Sequence, residues 1–298
     1  MIDSVWIFGD SYMYGQELPF HDPALRKQLL DSLGNPVLDS AELLSEPITQ
    51  KLFDRMSQVE KSIDNYAMLC NQHSMGGYLA GRLGVPCINR ARGGYSNDAI
   101  MAELINNRSK ITADSLVIVG MTYPARETQL CRQDGQGYIA CFNNYSAFAK
   151  DRQHEQYLSL STQFGNDMLT KYLHATNHVS RIRELLLGIQ HVVIDPVNIY
   201  RSSPEITDPI RPWDNHGDPI GSTIGAIEEA VMHSAVLDCI RTYFDTTLFE
   251  HTLNHAMQAV RASGARYMEL GGHPTKACHD WFVDHCLWPW LTDRGLVA

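Results

Sequence analysis

The chain has 298 residues, 44% of them hydrophobic and 19% charged, the balance of an ordinary globular protein with ample length for a buried core. A formal charge of -10 and no cluster of Lys and Arg argue against a nucleic-acid partner, which would be held through its phosphates. The start of the chain shows no basic segment, long apolar region or small-residue cleavage site, and no apolar run reaches bilayer length. The seven scattered cysteines read as reduced thiols, so the expectation is a cytoplasmic protein with no membrane partner.

In chain order, residues 5–8 are a short apolar run, the pattern of a strand buried on both faces. Gly9-Asp10-Ser11 breaks it, placing a carboxylate and a hydroxyl at the strand's end. One turn of helix is expected over 12–19, then an irregular Pro-, Asp- and Ser-rich excursion over 20–47. Helical spacing returns over 48–60 and 71–83, where Gly76-Gly77 permits close packing and Gly84 suits a C-cap. A second strand is expected over 85–91, ending in Arg92-Gly93-Gly94-Tyr95-Ser96-Asn97-Asp98, with a helix following to about Asn106. The third strand is 116–119, followed by Gly120-Met121-Thr122-Tyr123-Pro124-Ala125-Arg126-Glu127.

Residues 127–165 read as a polar, aromatic and irregular insertion, and 166–190 as a long helix. The fourth strand is 191–194, a Pro-rich loop with Trp213 covers 198–221, and 224–262 is mostly helical by pattern. A fifth strand is expected over 265–270, broken by Gly271-Gly272-His273-Pro274, with a terminal helix over 278–291. Short strands alternating with longer helices imply a parallel sheet with helices on both faces. The expectation is a single α/β domain with insertions near 20–65, 127–165 and 198–260.

The strand ends carry Ser11, the Gly93-Gly94 pair, Thr122 and His273, which a parallel sheet would gather on one edge. Acyl transfer needs that convergence: a hydroxyl nucleophile, a base within reach of its proton, and donors aimed at the developing oxyanion. His251 and His255 share a helix face without a third ligand placed by sequence, and no phosphate-loop or dinucleotide signature occurs. No metal and no cofactor are therefore expected.

The Gly-Asp-Ser after the first strand resembles the first block of the SGNH (GDSL-type) hydrolases. Gly94 after the second strand and His273-Pro274 before the last helix fit two further blocks, in order over nearly the whole chain. The segments 94–98 and 120–127 look like a divergent subgroup often found in phages, so association with a virion is compatible with the reading. The resemblance implies a flavodoxin-like, three-layer α/β/α fold with a central parallel sheet, and a serine esterase acting on an acyl or acetyl ester of a carbohydrate or small metabolite. Ser11 is then the nucleophile, His273 the general base, and the N–H groups of Ser11 and Gly94 bind the oxyanion.

Two blocks depart from the family's pattern. Thr122 stands where the family has its Asn oxyanion donor, with Asn97 as a possible substitute. Leu270, not Asp, stands three residues before His273, leaving Glu269 as a candidate orienting acid or a backbone carbonyl in its place. Asp10 reads foremost as holding its loop. Arg126 reads equally as a clamp for a substrate carboxylate or sugar and as a structural ion-pair partner. With Tyr123 and His279 these two complete the candidates for the substrate side of the site. An acyltransferase using the same acyl-enzyme, and a decayed module acting in binding or structure, are the alternatives.

Overall fold

The computed structural model describes residues 2–33, 58–124, 126–133, 136–143, 168–196, 199–200, 235–269 and 273–297. Of 126–133, 136–143, 168–171 and 235–237 it gives the backbone alone. The elements, in chain order, are β1 (Ser4–Phe8), α1 (Ser11–Tyr14), α2 (Pro23–Leu33), α3 (Tyr66–His73), α4 (Met75–Leu83), β2 (Cys87–Asn89), α5 (Asn97–Asn107), β3 (Ser115–Gly120), β4 (Arg126–Gln133), β5 (Gln136–Asn143), α6 (Met168–Leu185), β6 (Gln190–Ile194), α7 (Ala235–Thr247), α8 (Leu253–Ala262), α9 (Lys276–Phe282) and α10 (Trp288–Asp293). A single stretch of π-helix, Val283–Leu287, joins the last two.

Four strands form an all-parallel sheet in the order β2-β1-β3-β6. Val5 lies opposite Cys87 on one side and Leu116 on the other, and Ile118 opposite Val192, so β1 and β3 are the interior strands. Alternation along them divides the apolar side chains between two faces. Val5, Ile7, Leu116 and Ile118 pack with Leu79 of α4, Met257 of α8 and Phe282 of α9. Trp6, Phe8, Val117 and Val119 pack with Leu104 of α5, Val179 of α6 and Phe244 of α7. Strands covered on both sides have no polar face, which is why they read as unbroken apolar runs. Close packing on the first face uses Gly76: a Cβ there would stand 2.3 Å from Ile7 Cγ1.

Local chemistry fixes the helix ends. Ser96 caps α5 by accepting from Ala99 N at 3.3 Å, and Gly84 closes α4 in the left-handed region with φ 70°. The helix expected over 71–83 is two helices, because Ser74 leaves helical geometry and caps α4 by accepting from Gly77 N at 3.2 Å. Part of the excursion expected over 20–47 is helix α2. Of the helix expected over 48–60, residues 48–57 lie outside the described residues, and residues 58–62 are helical. The insertion expected to be irregular contains an antiparallel hairpin, β4 with β5, in which Gln133 pairs with Gln136. Most of the loop expected over 198–221, Trp213 included, lies outside the described residues.

The expected fifth strand does not join the sheet. Residues 267–269 instead clasp 273–275: Met268 bridges Pro274, Glu269 N donates to His273 O at 2.8 Å and Thr275 N donates to Tyr267 O at 3.2 Å. The edge of β6 is partly taken by the connection after α7, where Phe249 N donates to Val193 O at 2.8 Å.

Candidate active site

The chain leaves β1 at the carboxyl edge of the sheet, between two neighbours, β2 and β3, that it reaches by crossovers in opposite directions. Open α/β sheets bind ligands at such a point. Asp10 caps the short α1, its Oδ1 accepting from Tyr12 N at 3.0 Å, and Ser11 follows as the helix's first residue. The turn is held down by Met13. A Cβ on Gly9 or on Gly120 would stand 2.3 Å from Met13 Cγ, so the glycines ending β1 and β3 leave the space that this side chain fills.

After β2, Tyr95 N donates to Arg92 O at 3.3 Å across Gly93-Gly94, and Gly94 takes φ 79° at the third turn position, which favours glycine. A Cβ on Gly93 would lie 3.9 Å from Ser11 Cβ and 2.7 Å from Gln16 Oε1, so this glycine leaves room beside the nucleophile. By position, the N–H groups of Ser11, at the start of a helix, and of Gly94, inside a turn, have no local acceptor.

The two side chains expected to complete an oxyanion hole serve the scaffold instead. Thr122 Oγ1 donates to Asp10 Oδ2 at 2.7 Å, which commits its proton. Asn97 clasps the backbone of Thr122, accepting from its N at 2.9 Å and donating to its O at 3.1 Å, and donates to Tyr200 Oη at 3.0 Å. The hydroxyl of Tyr200, a wholly buried residue, donates to the same Thr122 carbonyl. The carboxylate of Asp10 thus ties β1 to the loop after β3, the structural role expected of it.

His273 is brought to this edge by the clasp of 267–269 with 273–275. Its ring lies 5.4 Å from that of Tyr12, the residue after Ser11, at an angle of 54°. No direct hydrogen bond joins the Ser11 hydroxyl to the imidazole. Such bonds are often long before substrate binds. The other ring nitrogen, Nδ1, stands 3.2 Å from Glu17 Oε2, with the N–H off the line to the oxygen, so the contact is an ion pair rather than an aligned hydrogen bond. Burial pulls the imidazole down, but Glu17 above all, then Asp10 and Glu60, more than offset it and raise its pKa.

Glu17 was not among the residues expected from the sequence, and it replaces Glu269 as the carboxylate facing the ring. Glu269 is held elsewhere, by Arg26 at 3.0 Å and Arg266 at 3.1 Å. Burial pushes its carboxyl up to about 7 against the pull of Arg266, with Glu17 adding to the rise and Arg26 opposing it. His279 does not line the site either. It is buried, and its Nδ1 accepts from Met75 N at 3.1 Å, capping α4. Burial, then the charges of His273 and Lys276, push it down to about 3, so it works as a neutral acceptor. Tyr123 is half-buried against the first core, and the side chain of Arg126, at the start of β4, lies outside what is described. His251 and His255 do not share a helix face: α8 begins at Leu253, which leaves His251 before the N-cap Thr252, while His255 Nδ1 accepts from Thr252 N at 3.0 Å in a capping box.

Among the described residues no group of three or more His, Cys, Asp or Glu is placed to hold a metal ion, and no helix is long and apolar enough to cross a membrane. The chain matches no family model, and no curated protein is significantly similar to it.

Proposed function

We propose that the protein is a serine hydrolase of the SGNH type, with a flavodoxin-like three-layer fold, cleaving an acyl ester, in its simplest form an acetyl group on a carbohydrate or small metabolite. The strand order and the helices on both sheet faces agree with that fold. Ser11 Oγ attacks the ester carbonyl while His273 Nε2 takes its proton. The tetrahedral oxyanion is held by the N–H groups of Ser11 and Gly94. Collapse expels the alcohol, which regains the proton from His273, and a water activated by the same imidazole then releases the acid from Ser11. No step of this route calls for a metal or cofactor.

The observation that carries the reading is the placement of His273. A histidine near the end of the sequence is laid against the turn that bears Ser11, with its ring beside Tyr12 and a buried carboxylate behind Nδ1. The test is covalent labelling of the full chain with a fluorophosphonate, alongside hydrolysis of p-nitrophenyl acetate. Labelling that disappears in Ser11→Ala and falls by at least roughly 10³-fold in rate in His273→Ala is expected. An intact protein that takes no label overturns the reading in favour of a binding module, the alternative that the committed side chains of Thr122 and Asn97 favour.

A further inference from the structure

We infer that Glu17 is the positioning residue for the base of this site: from the same loop as Ser11, its carboxylate holds His273 through Nδ1 in the tautomer that leaves Nε2 to receive the serine proton. The inference rests on the hydrolase reading and adds to it an acid that no residue near His273 in the sequence supplies.

Three observations carry it. The first is contact: the Glu17 side chain is 2% exposed and its Oε2 lies 3.2 Å from Nδ1 of an imidazole that is 12% exposed. A carboxylate removed from water needs a cation or donors facing it, and the Nδ1–H of the imidazole, neutral or charged, faces it here.

The second is strain. Glu17 has φ 69° and ψ -9°, the left-handed region, where a long side chain is uncommon and glycine or asparagine sits more easily. Retaining a glutamate there gives up backbone comfort for a carboxylate in this place.

The third is bracing. Glu17 N donates to Tyr66 Oη at 3.0 Å, Tyr66 in turn donates to Glu60 Oε1 at 2.9 Å, and Glu17 O accepts from Phe20 N at 2.9 Å. A backbone fixed at both its polar groups gives the side chain a defined origin from which to reach the ring.

Other charges face the same imidazole. Asp10 from α1 and Glu60 from the residues before α3 both favour its protonated form, and His279 of α9 lies close enough to feel its charge. Glu269 is near Glu17 but neutralised by Arg26 and Arg266. Asp10 and Glu60 act on the ring through charge, whereas Glu17 Oε2 is in contact with Nδ1 at 3.2 Å.

The experiment follows the imidazole directly. His273 is titrated by NMR in the full chain and in Glu17→Gln, and fluorophosphonate labelling of Ser11 is timed across the same pH range. The expected result is a lower His273 pKa in Glu17→Gln, an acid limb of labelling displaced to lower pH by the same amount, and a plateau rate reduced roughly 10²- to 10⁴-fold. Glu17→Gly, which relieves the backbone strain and removes the carboxylate, is expected to show the same shift and loss while remaining folded, and Glu17→Asp to recover part of the rate.

A His273 titration unmoved in Glu17→Gln overturns the inference, as does a shifted titration with an unchanged plateau rate. A wild-type chain that shows the pairing by NMR but takes no label overturns the hydrolase reading, and with it the catalytic use of the pair, while the pair itself stands. The two failures are thereby told apart.

Discussion

Two polar clusters flank Ser11, and they are built differently. On one side Asp10, Thr122, Asn97 and Tyr200 make direct hydrogen bonds of 2.7 to 3.1 Å, to one another or to each other's backbone. On the other side Glu17, Glu60, Glu269 and His273 meet through charge, with an off-line ion pair, a left-handed residue and three groups whose pKa is raised. The first cluster has spent its hydrogen-bonding capacity on joining the ends of β1, β3 and α5. The second keeps protonation states that can change. Burial also raises Tyr200 of the first cluster well above its ordinary value, but its proton is committed there to the Thr122 carbonyl, so that network specifies shape.

The sharpest way to break this comparison is Asn97→Ala. It strips partners from both backbone groups of Thr122 and from Tyr200, and we expect a loss of about 3 kcal/mol in stability by urea unfolding. A small loss would mean that the scaffold side is not the rigid one. Next is Thr122→Val, which removes the donor to Asp10 Oδ2 and is expected to cost about 1–2 kcal/mol, with Thr122→Ser recovering most of it. Its labelling rate at saturating probe should fall less than about tenfold, since removing a true oxyanion donor costs roughly 10²- to 10³-fold. A drop of that larger size would return Thr122 to the oxyanion hole.

The smallest effect sharpens the charged side. His279, held neutral and pushed down to about 3, contributes stability above the ordinary histidine pKa that is lost as pH falls below it. Each pH unit below about 6.5 should cost up to about 1.4 kcal/mol, a slope that His279→Gln removes. His273, whose pKa is raised, works in the opposite sense: its contribution is present in acid and fades as pH rises through its folded value. Urea midpoints measured between pH 5 and 8 separate the two slopes.

The sheet was legible because its interior strands β1 and β3 are buried on both faces and appear, like the edge strand β6, as apolar runs, each ended by a glycine or by Asp195-Pro196. Residues 265–270 were expected to be a strand, but they carry Arg266 and Glu269 among their apolar residues, and 267–269 pair with their own continuation instead of the sheet. The hairpin of β4 and β5 was missed although Asp134-Gly135, a strong hairpin signal, stands between its strands.

Ser11, the glycine pair and His273 could be picked out because each follows a strand or precedes a helix. Glu17 could not be found by spacing, since its partner comes from the other end of the chain. Its one local sign is a carboxylate set directly before Leu18-Pro19-Phe20, an apolar run that the structure buries. His279 misled for the opposite reason: closeness to His273 in sequence suggested a place in the site, while its ring turns inward to α4.

The methionine wedged beneath the nucleophile turn has a chemical consequence. Met13 is fully buried, with its sulfur 2.6 Å from where a Cβ on Gly120 would sit, so the oxygen of a sulfoxide would put a polar group into this close packing. Peroxide can reach that thioether only while this rim of the sheet stands apart, and a chain oxidised in that interval could not close again around Ser11. Until a reductase removed it, sulfoxide at Met13 would then record transient opening.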